Sequence, residues 1–143
     1  VSHISNAEVL TCECDVLVPA ALENQITADN ASELRCKYIV EAANGPTTEE
    51  ADKILEKRGI TVVPDIFANS GGVIVSYFEW VQNIQELTWE REQVNEMLEK
   101  LMTKAFAALY ETAQEKHCTL RMGAYVVALQ RLIDAEVIKG LFP

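Results

Sequence analysis

Apolar positions along the chain fall into two regimes. In the first half they form short continuous runs, Asp15 to Pro19, Tyr38 to Ala42 and Ile60 to Val63. Runs this short, rich in Val and Ile and not alternating, read as strands of a parallel sheet covered on both faces. Between them lie helical patterns at Gln25 to Leu34 and Thr47 to Arg58. The second has marked ends: Thr47 and Glu50 in capping-box spacing, Glu49 in the first turn, and Gly59 as the stop. Its inner face is Ala51, Ile54 and Leu55. The order β-α-β-α-β implies right-handed crossovers and a parallel sheet.

After Gly72 the period changes to that of helices. Ser76 to Leu87 reads as one, interrupted near Thr88. A longer helix from about Glu90 to Lys116 carries Val94, Met97, Leu98, Leu101, Ala105, Leu109 and Ala113 at helical spacing. A last helix runs from about Leu120 to Lys139 and stops at Gly140. The fold class is therefore α/β: the C-terminal half of a Rossmann-like, doubly wound parallel sheet, followed by C-terminal helices. Residues 1–72 are expected to form the β-α-β-α-β half, and residues 73–143 helices that pack on it. The other half would carry the phosphate-binding glycine turn, and no G-x-G-x-x-G occurs here. With Val1 standing one short segment before the first strand, the chain reads as the second half of a larger protein.

Composition narrows the partners. The 143 residues carry a net charge of −10 with no basic cluster, which excludes nucleic acid. No apolar run approaches the ~20 residues of a membrane helix, and no signal peptide is visible. Four cysteines, Cys12, Cys14, Cys36 and Cys118, read as free thiols of a cytoplasmic protein. Cys12-Glu13-Cys14 lacks a second ligand pair, so no metal site is assigned. His3 and His117 sit at element ends and read as solvated.

Candidate chemistry gathers where the three strands end, the edge at which open α/β sheets bind ligands. The loops read PAALENQIT (19–27), EAANGPTT (41–48) and PDIFANSGGVIVSYFEW (64–80). Small residues let a flat ligand reach the backbone, while the amides of Asn24, Asn44 and Asn69 both donate and accept. Each loop alone is an ordinary turn. Three on one edge form a crevice for a polar ligand with a flat part. Asn69, Ser70, Gly71 and Gly72 read as a loop that brings backbone and ligand close.

CDVLVPAALENQIT, VEAANGPTTEEAD, PDIFANSGGVIVSYFEWVQN and LRMGAYVVALQRL together resemble glutamate dehydrogenase, of the hexameric Glu/Leu/Phe/Val dehydrogenase family. The resemblance implies reversible oxidative deamination of L-glutamate to 2-oxoglutarate and ammonia with NAD or NADP, in a hexamer. By motif it places Ala20 and Ala21 on the nicotinamide-side wall, Asn44 at the nicotinamide ribose and Asn69 at the nicotinamide end. Val73 and Ser76 fall in the glutamate pocket, with the Ser76 hydroxyl on the γ-carboxylate. The resemblance also implies that the helices of 73–143 return toward a substrate domain absent from this segment. Ala42 and Ser70 depart from the commoner Gly and Ala of the family. The family's catalytic lysine and aspartate lie upstream of Val1, so no catalytic residue is assigned here and the segment alone is expected to be inactive. Two other readings remain: a leucine, valine or phenylalanine dehydrogenase, for whose apolar pocket a carboxylate-binding Ser76 has no use, and a non-catalytic acidic binding module.

Overall fold

The computed structural model describes residues 4–140; His3 lies outside them. The chain divides into two compact units, Val1–Asn69 and Ser70–Pro143.

The first unit opens with α1 (Asn6–Thr11), a helix the sequence reading passed over. Ser5 and Glu8 cap it reciprocally, and the Ser5 backbone N–H, then the Ser5 hydroxyl, hold the Glu8 carboxyl below its ordinary range. Strands β1 (Val16–Leu17), β2 (Tyr38–Val40) and β3 (Thr61–Val63) form one parallel sheet in that order, as expected. Helix α2 (Glu49–Lys57) links the last two. Leu17, Ile39, Ala51, Leu55 and Ile60 share one core with Ile26, Ala31 and Leu34. Two-sided cover is not observed among the described residues. Val16, Tyr38 and Thr61 stand side by side in register and are exposed, while Leu17 and Ile39 next to them are buried.

Two further expectations are corrected. Segment 25–34 is a series of turns, not a helix. Asn30 accepts from the Thr27 N–H at 2.9 Å and donates to the Gln25 carbonyl at 2.8 Å. These side-chain bonds take the place of the helical ladder, as Asn does when it competes with it. The turns still bury Ile26, Ala31 and Leu34 completely. Arg58 fastens them by donating to the Ala31 and Leu34 carbonyls. Secondly, the cap of α2 is Thr48, which accepts from the Ala51 N–H at 3.3 Å. Thr47 instead forms an isolated parallel bridge with Ile26, and its buried Oγ1 has no partner among the described residues. Gly59, at φ +73°, ends α2 as expected. Lys53 bonds Glu49 one turn away, holding that exposed carboxyl low and its own ammonium high.

After the single turn α3 (Asp65–Ala68), the second unit consists of α4 (Ser70–Gln85), α5 (Arg91–Glu115) and α6 (Leu120–Lys139). The last two match the sequence reading almost to the residue, and Gly140 closes α6 at φ +81°. His117 is exposed just past α5. Helix α4 begins six residues earlier than expected, so Gly71 and Gly72 are helical and not loop. Packing overrides glycine's poor propensity here: a Cβ added at Gly71 would stand 3.8 Å from Leu98 Cδ1, and the Ser70 hydroxyl bonds Met102 Sδ. The turn into α5 is set by the Trp89 N–H on Gln82 Oε1 at 2.6 Å and by the edge-to-face contact of Trp89 with Phe78. Helices α5 and α6 pack closely at Gly123, where an added Cβ would stand 2.7 Å from the Leu109 carbonyl oxygen.

Candidate functional site

All three strands of the first unit run in the same direction, so the segments following them emerge at one edge. Hydrogen bonds join these segments into a single rim. The Pro19 carbonyl, at the end of β1, accepts from the N–H groups of Ala42 and Ala43 beyond β2 at 3.1 and 2.9 Å. Asn24, in the left-handed region at φ 54°, donates its N–H to the Gly45 carbonyl at 2.8 Å. Asn tolerates that backbone conformation, so Asn24 serves the turn. Ile26 and Thr48 then continue the same pairing.

The segment after β3 is tied to that after β2 by side chains. Asn69 Nδ2 donates to Asn44 Oδ1 at 2.6 Å and reaches the Ala42 carbonyl at 3.4 Å. Asp65 Oδ2 accepts from the Gly45 N–H at 2.7 Å. Beneath them Glu41, fully buried, accepts from the Asp65 N–H at 2.9 Å. A carboxylate at that depth is retained when hydrogen bonds compensate its lost hydration. Glu41 and Asp65 are residues that the sequence reading did not single out. The available signal was a carboxylate placed directly at the end of a buried strand.

Of the sequence-predicted residues in this unit, Asn44 and Asn69 are brought into contact, and Ala20 and Ala21 are exposed on the segment that starts at Pro19. Asn44 Oδ1 and Asn69 Nδ2 are engaged with each other. Asn44 Nδ2 and Asn69 Oδ1 are the opposite ends of the two amides, one a donor and the other an acceptor. The rim thus presents a donor, an acceptor and small side chains, suited to a ligand with hydroxyl or carboxamide groups and a flat face.

In the second unit, Val73 and Ser76 are exposed on the first turns of α4. Among the described residues the Ser76 hydroxyl has no hydrogen bond back to its own helix. At Gly72 an added Cβ would meet nothing within 4 Å, so packing within the chain does not require a glycine there. Its backbone φ does not require one either. What glycine leaves at that position is bare backbone at the start of a helix, where unpaired N–H groups favour negative charge. No group of three or more His, Cys, Asp or Glu that could hold a metal ion occurs among the described residues.

Known proteins resemble this chain in sequence and fold. The family model of the glutamate/leucine/phenylalanine/valine dehydrogenases matches residues 1–140. The chain is 52% identical over 137 residues to the cryptic catabolic NAD-specific glutamate dehydrogenase GudB of Bacillus subtilis strain 168, covering 96% of this chain and 32% of that protein. Among solved structures, the hetero-hexameric glutamate dehydrogenase of Thermus thermophilus in its Leu-bound form superposes with a TM-score of 0.93 at 36% identity, over 98% of this chain and 34% of that one. Glutamate dehydrogenase from Peptoniphilus asaccharolyticus gives 0.82 at 46% identity, over 87% of this chain and 32% of that one. The chain thus spans about a third of the length of the curated relatives it matches. With the three-stranded parallel sheet, the joined rim and a match over nearly all its length, the chain belongs to the glutamate/leucine/phenylalanine/valine dehydrogenase family.

Proposed function

We propose that this chain is the part of a glutamate dehydrogenase that supplies half of the NAD site and one wall of the glutamate pocket. The observation that carries the reading is the rim in which Asn69 and Asn44 are bonded at 2.6 Å over the ends of three parallel strands. When bound, NAD supplies the hydride acceptor for oxidation of the amino acid. The residues of this chain bind and orient: Ala20 and Ala21 leave room for the nicotinamide side, Asn44 meets the ribose, and Asn69 meets the nicotinamide end. The fit is supported by the exposed, small and amide-bearing rim and by the open space over Gly72. Val73 and Ser76 take the substrate, with the Ser76 hydroxyl donating to the γ-carboxylate. NAD is preferred to NADP because the relatives of about 50% identity are named NAD-specific.

The reaction proposed for the complete enzyme is conversion of L-glutamate to 2-oxoglutarate and ammonia, and its reverse, in the cytoplasm. Free cysteines support that compartment, and no described helix is long and apolar enough to cross a membrane. A hexamer is proposed from the Thermus relative, named as hetero-hexameric. Exposed apolar residues along the end of α6, among them Leu132, Val137 and Ile138, support its packing against the remainder of such an enzyme. Initial rates of the full-length enzyme with NAD and, in turn, L-glutamate, L-leucine, L-valine and L-phenylalanine test the reading. Turnover is expected with glutamate. Preference for an apolar amino acid would overturn it in favour of the sister activities of the family.

A further inference from the structure

Two of the four cysteines face each other across the sheet. Glu13↔Arg35, Val16↔Tyr38 and Leu17↔Ile39 pair in one common parallel register, which sets Cys14 opposite Cys36. The Cys14 N–H donates to the Arg35 carbonyl at 3.2 Å, fixing the alignment next to the pair. Both side chains are half-buried against the same core cluster, so both point to one side of the backbone. Neighbouring strands lie about 4.8 Å apart, and a disulfide spans Cα separations of roughly 4.4–6.8 Å. Burial, and then the neighbouring Cys14, push the Cys36 thiol up from its ordinary value. Cys12, by contrast, is exposed and its thiol bonds the Glu8 carbonyl. Cys118 belongs to the other unit.

We propose that Cys14 and Cys36 are a reversible thiol–disulfide site, closed by a small-molecule disulfide such as oxidised glutathione. The Cys14 thiolate attacks one sulfur of that disulfide. Its S–S bond breaks, a glutathione thiolate leaves and takes up a proton, and Cys14 carries the mixed disulfide. Cys36 then loses its proton and attacks the Cys14 sulfur, expelling the second glutathione. Two protein thiols are oxidised, and one glutathione disulfide is reduced to two thiols. The bond ties β1 to β2 at the end of the sheet away from the rim. In a reducing compartment such a bond is transient and responds to redox state.

The test equilibrates the full chain in glutathione buffers of increasing oxidised fraction, traps remaining thiols by alkylation, and maps the products by mass. The expected result is loss of the mass of two hydrogens, a cross-linked fragment joining Cys14 to Cys36, and reversal by dithiothreitol. Cys14→Ser and Cys36→Ser should each abolish that fragment, while Cys12→Ser and Cys118→Ser leave it unchanged. The wild-type map decides by itself if a serine variant fails to fold. A Cys12–Cys14 bridge, glutathione held stably on either cysteine, or free thiols at Cys14 and Cys36 in the most oxidising buffer would each overturn the proposal.

Discussion

Asn69 donates its side-chain N–H to the Asn44 carbonyl oxygen at 2.6 Å, joining the segment after β3 to that after β2. The bond fixes the orientation of both amides, since each has one end already committed. A neutral hydrogen bond contributes about 0.5–1.5 kcal/mol. In the full-length enzyme, Asn44→Ala and Asn69→Ala should each weaken NAD several-fold, and the double variant should be little worse than either single one. A double-mutant cycle on the NAD dissociation constant checks this. Additive losses would mean that the two amides act independently.

Glu41 supports that pair from below. Its buried carboxylate holds the Asp65 N–H, and Asp65 in turn holds the Gly45 N–H. Glu41→Ala leaves the part-buried Asp65 N–H without this acceptor, at a cost of up to about 1–3 kcal/mol, and loosens the segment bearing Asn44. Glu41→Gln keeps an acceptor oxygen and should retain more of both stability and NAD affinity. Urea unfolding midpoints and NAD titrations on the two variants measure the difference. Equal behaviour of Ala and Gln would remove Glu41 from this role.

Two glycines should respond to the same substitution with opposite signs. At Gly123 an added methyl meets the Leu109 carbonyl oxygen at 2.7 Å and Ala113 Cβ at 3.0 Å, so α5 and α6 must separate. Overpacking of this kind costs about 1–3 kcal/mol, and Gly123→Ala should lower the melting temperature.

At Gly72 the same methyl stands in open space within a helix. Gly72→Ala should raise stability by up to about 1 kcal/mol through helix propensity. If ligands approach that backbone, as proposed, turnover should nevertheless fall. Thermal melts paired with initial rates separate the effects, and a more stable variant with full activity would count against close approach there.

The legible parts of this fold were those in which local preference and packing agree. Continuous Val and Ile runs marked the strands, and long apolar periodicity with Gly140 marked α5 and α6. Segment 25–34 was misread because its apolar spacing also serves a chain of turns once Asn30 bonds the backbone on both sides. The first turn of α4 was missed because Gly71 and Gly72 score as loop until Leu98 packs beside Gly71 and Met102 meets the Ser70 hydroxyl. The Thr47–Glu50 spacing points to Thr47 as the cap of α2, but Thr47 bridges to Ile26 and Thr48 caps the helix instead. In the rim, the amides were readable as candidates, but their mutual bond and the Glu41–Asp65 support depend on contacts more than twenty residues apart in sequence.

Ser76 provides the most direct test of substrate assignment. It is exposed on α4, one turn beyond Gly72, with Val73 and Tyr77 as exposed neighbours on the same stretch. Apart from the Tyr77 phenol, those side chains offer a carboxylate only apolar surface. A hydrogen bond to a charged group contributes roughly 1.5–3 kcal/mol, so Ser76→Ala in the full-length enzyme should lower kcat/KM for glutamate by about 10- to 150-fold. NAD affinity should stay within a few-fold, because the proposed NAD contacts lie at Asn44 and Asn69 instead. A serine can instead bond the carbonyl one turn earlier in its own helix, but the Ser76 hydroxyl makes no such bond among the described residues. If it did so in solution, the alanine variant would change stability and leave glutamate kinetics alone. Steady-state rates with glutamate and NAD varied separately, alongside a thermal melt, distinguish the two. An unchanged glutamate KM and kcat would remove Ser76 from the pocket.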